Sequence, residues 1–80
     1  MKFTSCFLHT RERDDRKDVK LEWIEFAFYH PVFEVKQSDG RIRRWVYIEE
    51  VHKYLRIIIL EDHLTIHNAF FDRNFKLNEL

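Results

Sequence analysis

The sequence predicts an α+β domain, an N-terminal helix packed on an antiparallel sheet of three to four strands. Three observations carry the prediction. Apolar residues recur at helical spacing between 19 and 29 and stop at Pro31. The period then changes to two, in runs on either side of Asp39 and Gly40. Two further β-prone runs follow, 54–60 and 64–71, parted by the polar Glu61, Asp62 and His63. A chain of 80 residues holds one such domain, over 1–80, and not two.

Residues 3–8 read as a short edge strand or an extended lead-in, and 9–17 as a polar run of mixed charge on a solvated surface. Asp18 is placed to cap the helix, because its carboxylate can accept from the first free backbone N–H groups. Leu21, Ile24 and Phe28 mark the apolar stripe, widened by Trp23, Phe26 and Ala27. The helix ends before Pro31, since a residue that precedes proline avoids helical angles. Asp39 and Gly40 lie between two β-prone runs, which predicts a hairpin closed by a two-residue primed turn, and Gly40 is the one glycine of the chain. In the strand that follows, Ile42, Arg44, Val46 and Ile48 share one face, and Arg41, Arg43, Trp45 and Tyr47 the other. Residues 49–53 are a polar connection. The run 54–60 is the most apolar and reads as a central strand, and 64–71 as the last one.

Composition bounds the function. An apolar fraction of 45%, with eight Phe, three Tyr and two Trp, supplies a core and excludes a disordered chain. The 14 basic and 14 acidic side chains cancel, whereas proteins that work by neutralising phosphates carry net positive charge. The basic residues are nonetheless gathered: Arg41, Arg43, Arg44, Lys53 and Arg56 stand against Glu49 and Glu50 within 41–56. Cys6 has no second cysteine, so there is no internal disulfide or cysteine zinc cluster, and a reducing cytoplasm is expected. No apolar run suits a signal peptide or a membrane span. The five histidines place no two on one face of a predicted helix, and no metal or other cofactor is expected. One glycine cannot form a phosphate-binding loop, and Ser5, Ser38 and Cys6 have no partners for covalent catalysis.

Four places could carry chemistry. Arg56, alone in a run of Ile and Leu, must reach water, a carboxylate such as Glu49, Glu50 or Asp72, or a phosphate. His67 and Asn68 sit mid-strand on opposite faces, His67 with Thr65, Ala69 and Phe71, and Asn68 between Ile66 and Phe70. A strand histidine is either hydrogen-bonded structure or a proton-transfer group, since imidazole changes charge near neutral pH. Asp72, Arg73 and Phe75 leave the last strand among aromatic residues. They form either an Asp–Arg pair that fixes the loop or a phosphate contact at Arg73 with a base stacked on Phe75. His9 is followed by Arg11, Arg13 and Arg16.

Taken together, Phe3-Thr4, His9, Arg11 and Arg13, the segment from Leu21 to Pro31, Asp39-Gly40-Arg41, and LRIIILED with TIHNAFFDRNF resemble a small group of bacterial proteins. That group is similar to the RelE- and BrnT-like members of the barnase–EndoU–colicin–RelE ribonuclease fold. The resemblance runs over about 3–76 and is most specific in the last two strands. It implies a metal-independent endoribonuclease toxin with a cognate antitoxin as partner. A base takes the 2′-hydroxyl proton, an acid protonates the leaving oxygen, and arginines hold the phosphorane charge. The catalytic set it implies is His9 and His67 for proton transfer with Arg56 and Arg73 as phosphate clamps. Asn68 and Asp72 would orient the RNA, Phe75 would stack a base, and Arg11, Arg13 and Arg43 would add basic contacts. The expected partners are RNA, including messenger RNA on the ribosome, and the antitoxin; a homodimer is compatible, and no membrane is expected. The neutral charge departs from the strongly basic RelE-type toxins and favours the alternative, a non-enzymatic interaction module or degenerate toxin on the same fold. The nuclease reading requires Arg56, Arg73 and His67 to meet on one concave side of the sheet.

Overall fold

The computed structural model describes residues 1–10 and 19–75, without the side chains of Cys6, His9 and Thr10. Arg11, Arg13, Arg16 and Asp18, and the side chain of His9, therefore lie outside the described residues. The elements in chain order are β1 (Lys2–Phe3), α1 (Ser5–Thr10), α2 (Leu21–Tyr29), β2 (Phe33–Lys36), β3 (Ile42–Ile48), β4 (Lys53–Ile59) and β5 (Thr65–Phe71). The α+β class holds, but the sheet has five strands in the order β1-β5-β4-β3-β2 and is mixed. Strands β2 to β5 are antiparallel neighbours, whereas β1 runs parallel to β5, with Lys2 beside Thr65 and Phe3 beside Ile66. β4 is central, as its apolar run, broken only by Arg56, predicts.

The segment 3–8 divides between edge strand and helix. Thr4 Oγ1 accepts from the Phe7 backbone N–H at 3.0 Å and so caps α1, which the extended reading of 3–8 missed. The main helix has Lys20 as its N-cap residue, in extended geometry and with no side-chain cap hydrogen bond. Trp23, Ile24, Ala27 and Phe28 are its buried face, while Leu21 and Phe26 stay about half exposed (47% and 46%) and are not core. At its C-terminus, Arg44 reaches across from β3. Nη1 donates to the Phe28 carbonyl and Nε to Glu34 Oε2, both at 2.6 Å. A cation there satisfies one of the carbonyls that a helix leaves unpaired at its end.

The core lies between α2 and one face of the sheet. That face carries Ile42, Val46, Ile48, Leu55, Ile57, Ile59, Ile66 and Ala69, with Phe7 and Val19 closing its margins. The β2–β3 turn is not a two-residue one. Gln37 donates to Arg41, Gly40 donates to Gln37, and only Gly40 has positive φ, at 92°. This is a three-residue loop, a tight turn followed by one left-handed residue. A Cβ at Gly40 would sit 3.1 Å from that of Glu61, so glycine is needed here for space as well as for conformation.

Asp62 closes the β4–β5 turn. Its carboxylate accepts from the Leu64 and Thr65 backbone N–H groups, each at 2.9 Å, and from the Thr65 hydroxyl. That hydroxyl first, and then the two N–H groups, hold its pKa down to about 2. A depressed carboxyl adds stability above its unfolded value, and the gain is lost as pH falls through the folded one. Asp62→Ala is expected to be less stable than the parent at neutral pH, with the gap closing between about pH 4 and pH 2. Thermal unfolding followed by circular dichroism across that interval measures it, and a gap that does not narrow would rule out the ionised carboxylate as the cause.

Candidate functional site

The second face of the sheet has no helix over it among the described residues. Strand alternation and register bring Phe33, Arg43, Trp45, Tyr47, Tyr54, Arg56, Ile58, Asn68 and Phe70 to this side. Phe75, past the end of β5, returns over it and stacks on Trp45, with ring centres 4.8 Å apart and planes at 15°. Tyr54 and Phe33 meet the same ring at 4.9 and 5.7 Å, and Tyr47 meets Tyr54 at 5.1 Å. This explains why Trp45 is buried on a face that is otherwise open.

Arg56 and Asp72 anchor the cluster. Asp72 Oδ2 accepts from the Trp45 indole at 3.1 Å and lies 3.8 Å from Arg56 Nη1. The guanidinium lies over the Phe70 ring, 4.0 Å from its centre, directly across the β4–β5 pair. Its Nε is buried without a hydrogen-bond partner among the described residues. Burial lowers the Arg56 pKa, Asp72 opposes that effect, and Arg43 adds to it. Of the alternatives open to Arg56, the structure thus takes the carboxylate. Asp72→Ala strips a partner from two largely buried groups and is expected to cost about 1–3 kcal/mol. Asp72→Asn, which keeps an acceptor for the indole, should cost less. Urea unfolding of the three proteins orders them, and an unchanged midpoint in Asp72→Ala would mean that the pair holds nothing together.

The expected meeting of Arg56, Arg73 and His67 does not occur. A bulge interrupts β5: Ile58 pairs with Asn68, but Ile59 pairs with Ile66, so His67 is the extra residue. The face assignments on β5 change accordingly. Ile66, Ala69 and Phe71 join the α2 side, and Asn68 and Phe70 the open side, with Asn68 Oδ1 accepting from the Ala69 N–H. His67 instead meets the β1 edge, its Nδ1 3.4 Å from Thr4 Oγ1. Arg73 is exposed in the turn after β5, six residues further along, or roughly 20 Å away at strand spacing. Arg43 lies near Gln37, whose amide oxygen, oriented to satisfy both groups, accepts from its Nη2 at 2.9 Å.

Arg73, Asp72 and Phe75 do come together elsewhere. With Tyr47, His52, Lys53, Tyr54 and Phe71 they line a pocket of about 310 Å³ where the β3–β4 turn meets the exit of β5. The Tyr47 hydroxyl shares a 3.2 Å hydrogen bond with His52 Nδ1. His52 is the last residue of a tight turn, its N–H donating to Glu49, and holds φ at 53°. Positive φ is uncommon outside glycine and costs strain, which concentrates at sites whose surroundings enforce it. In the sequence His52 falls in the polar connection 49–53 and Tyr47 on one face of a strand. The signal that unites them is the hairpin register, Tyr47 opposite Tyr54 and Ile48 opposite Lys53, which fixes a four-residue turn ending at His52.

The pocket thus combines an imidazole held by a phenol, two cations, the Asp72 carboxylate that is turned to Trp45 and Arg56, and flat aromatic walls. Such a set can move a proton beside an anion and stack a planar ring. Among the described residues no three His, Cys, Asp or Glu side chains are grouped to hold a metal ion, and no helix is long and apolar enough to cross a membrane. No protein-family profile matches the chain, and neither a curated protein nor a solved structure matches it significantly.

Proposed function

We propose that this chain is a metal-independent endoribonuclease of the toxin kind, cutting single-stranded RNA at the β3–β4 corner. The observation that carries the reading is the His52–Tyr47 pair in one pocket with Arg73, Lys53 and the Tyr54 and Phe75 rings. The set that the resemblance implies is not assembled, because Arg56 is paired with Asp72 and His67 lies at the β1 edge, away from Arg73. A nuclease reading therefore needs a different centre, and His52 rather than His67 is its proton-transfer group. With Nδ1 engaged by Tyr47, Nε2 faces the substrate and takes the 2′-hydroxyl proton. The freed oxygen attacks phosphorus, the bond to the 5′ oxygen breaks, and that oxygen takes a proton from Lys53. The products are a 2′,3′-cyclic phosphate and a 5′-hydroxyl end. Arg73 balances the charge that builds on the phosphorane, and Phe75 and Tyr54 stack neighbouring bases. Under this reading the chain works in the cytoplasm, and a cognate antitoxin holds it in check.

A second reading, binding without cleavage, is favoured by the Arg56–Asp72 pair, which cancels a cation on the open face, and by zero net charge. One experiment separates the two. Purified protein is incubated with single-stranded RNA in excess EDTA, and the ends of any fragments are analysed. Cyclic phosphate ends are expected; intact RNA beside folded protein decides for binding alone.

A further inference from the structure

A second groove, of about 430 Å³, lies between α2 and the end of β3. Trp23, Phe26, Val32 and Ile48 form its floor, and Glu49 and Glu50 its rim. Phe26 and Val32 are nearly half exposed there, more than a closed core would leave. Two features define what would fit. First, the pairing of β2 with β3 ends at Phe33 and Trp45, and residues 46–48 have no strand on that side among the described residues. Such an edge accepts a further strand through its free backbone groups. Second, the margin is acidic. Among the described residues, Glu22, Glu49 and Glu50 gather there with Lys20, which is 3.9 Å from Glu22 and 3.6 Å from Glu50.

We propose that this groove docks an extended peptide segment of another protein, apolar at alternate positions and carrying lysine or arginine between them. Its backbone would extend the sheet beside residues 46–48. Its apolar side chains would enter the Trp23–Phe26–Val32 floor, and its cations would meet Glu49 and Glu50. A nucleic acid is disfavoured by the same carboxylates. A second copy placed symmetrically would set Glu49 and Glu50 against themselves, since a two-fold contact pairs each patch with its own image. The inference does not depend on RNA cleavage.

The two tryptophans make the test direct, because the Trp23 indole lines the groove and the Trp45 indole lies on the opposite face. The ¹⁵N-labelled full chain is titrated with a short synthetic peptide of alternating valine and lysine, and with its valine–glutamate counterpart. The expected result is movement of the Trp23 indole and the amides of 48–50 with the lysine peptide alone. Affinity should fall about tenfold or more in a Glu49→Lys/Glu50→Lys double variant whose spectrum is otherwise unchanged. Shifts confined to the Trp45 indole, equal binding by the double variant, or no shift at millimolar peptide would overturn the proposal. So would concentration-dependent self-association that moves the same groove signals without peptide.

Discussion

Ile57→Ala is expected to lower the unfolding free energy by about 2–5 kcal/mol. Ile57 is fully buried at the middle of β4, the central strand, on the face that receives α2. Its cross-strand neighbour on β5 is Ala69, already minimal, and the one on β3 is Arg44, whose guanidinium is held by Glu34 and the Phe28 carbonyl, so neither readily fills the space. A cavity that cannot relax carries the full cost of lost contacts in addition to lost burial. A domain of this size has roughly 4–12 kcal/mol of total stability, so the variant loses a large part of it. Urea unfolding should show the midpoint falling while the slope stays constant. Ile58→Ala, one residue on and facing the open side, should cost clearly less. Equal costs at 57 and 58 would mean that both faces of the sheet are covered.

That contrast rests on strand parity, and parity shows why some of the architecture is legible in the sequence and some is not. The helix at 21–29 can be read because its stripe has a period and Pro31 an unambiguous consequence. β3 and β4 can be read as well. In β3 the alternation is regular, and the face that contains Ile42, Val46 and Ile48 is the buried one, whereas β4 is read from the length of its apolar run. β1 has two residues and therefore no period, and its parallel partner is more than sixty residues away. In β5, a single extra residue at His67 reverses every face assignment before it relative to those after it. This is why Ile66 is core although Asn68 and Phe70 are not. The burial of Trp45 depends on Phe75, which lies outside any strand and meets it only through the path of the chain after Arg73.

The candidate site follows the same division. Asp72, Arg73 and Phe75 stand out in the sequence as charges among aromatics, and they do line one pocket. His52 does not stand out, because its relation to Tyr47 is created by a turn whose length is known only once β3 and β4 are in register. Arg56 stands out for the right physical reason, a charge that cannot be discarded. Asp72, one of the three carboxylates that the sequence offers it, meets that need, and the β4–β5 register is what selects it over Glu49 and Glu50.

His52→Asn is expected to reduce RNA cleavage by about 10²- to 10⁴-fold, the range that a positioned acid or base contributes. Asparagine is the chosen replacement because it tolerates the left-handed backbone that His52 adopts, so the turn survives while proton transfer does not. Tyr47→Phe removes the hydroxyl that holds Nδ1 and should lower the rate by a smaller factor. In this chain Tyr47 is a positioning residue, so its variant should change the pH dependence of the rate as well as its size. His67→Ala supplies the comparison, since that imidazole meets Thr4 at the β1 edge, away from Arg73. Its rate should remain near that of the parent. The reverse pattern, a rate lost in His67→Ala and kept in His52→Asn with both proteins folded, would return the chemistry to β5 and leave the β3–β4 corner a structural turn.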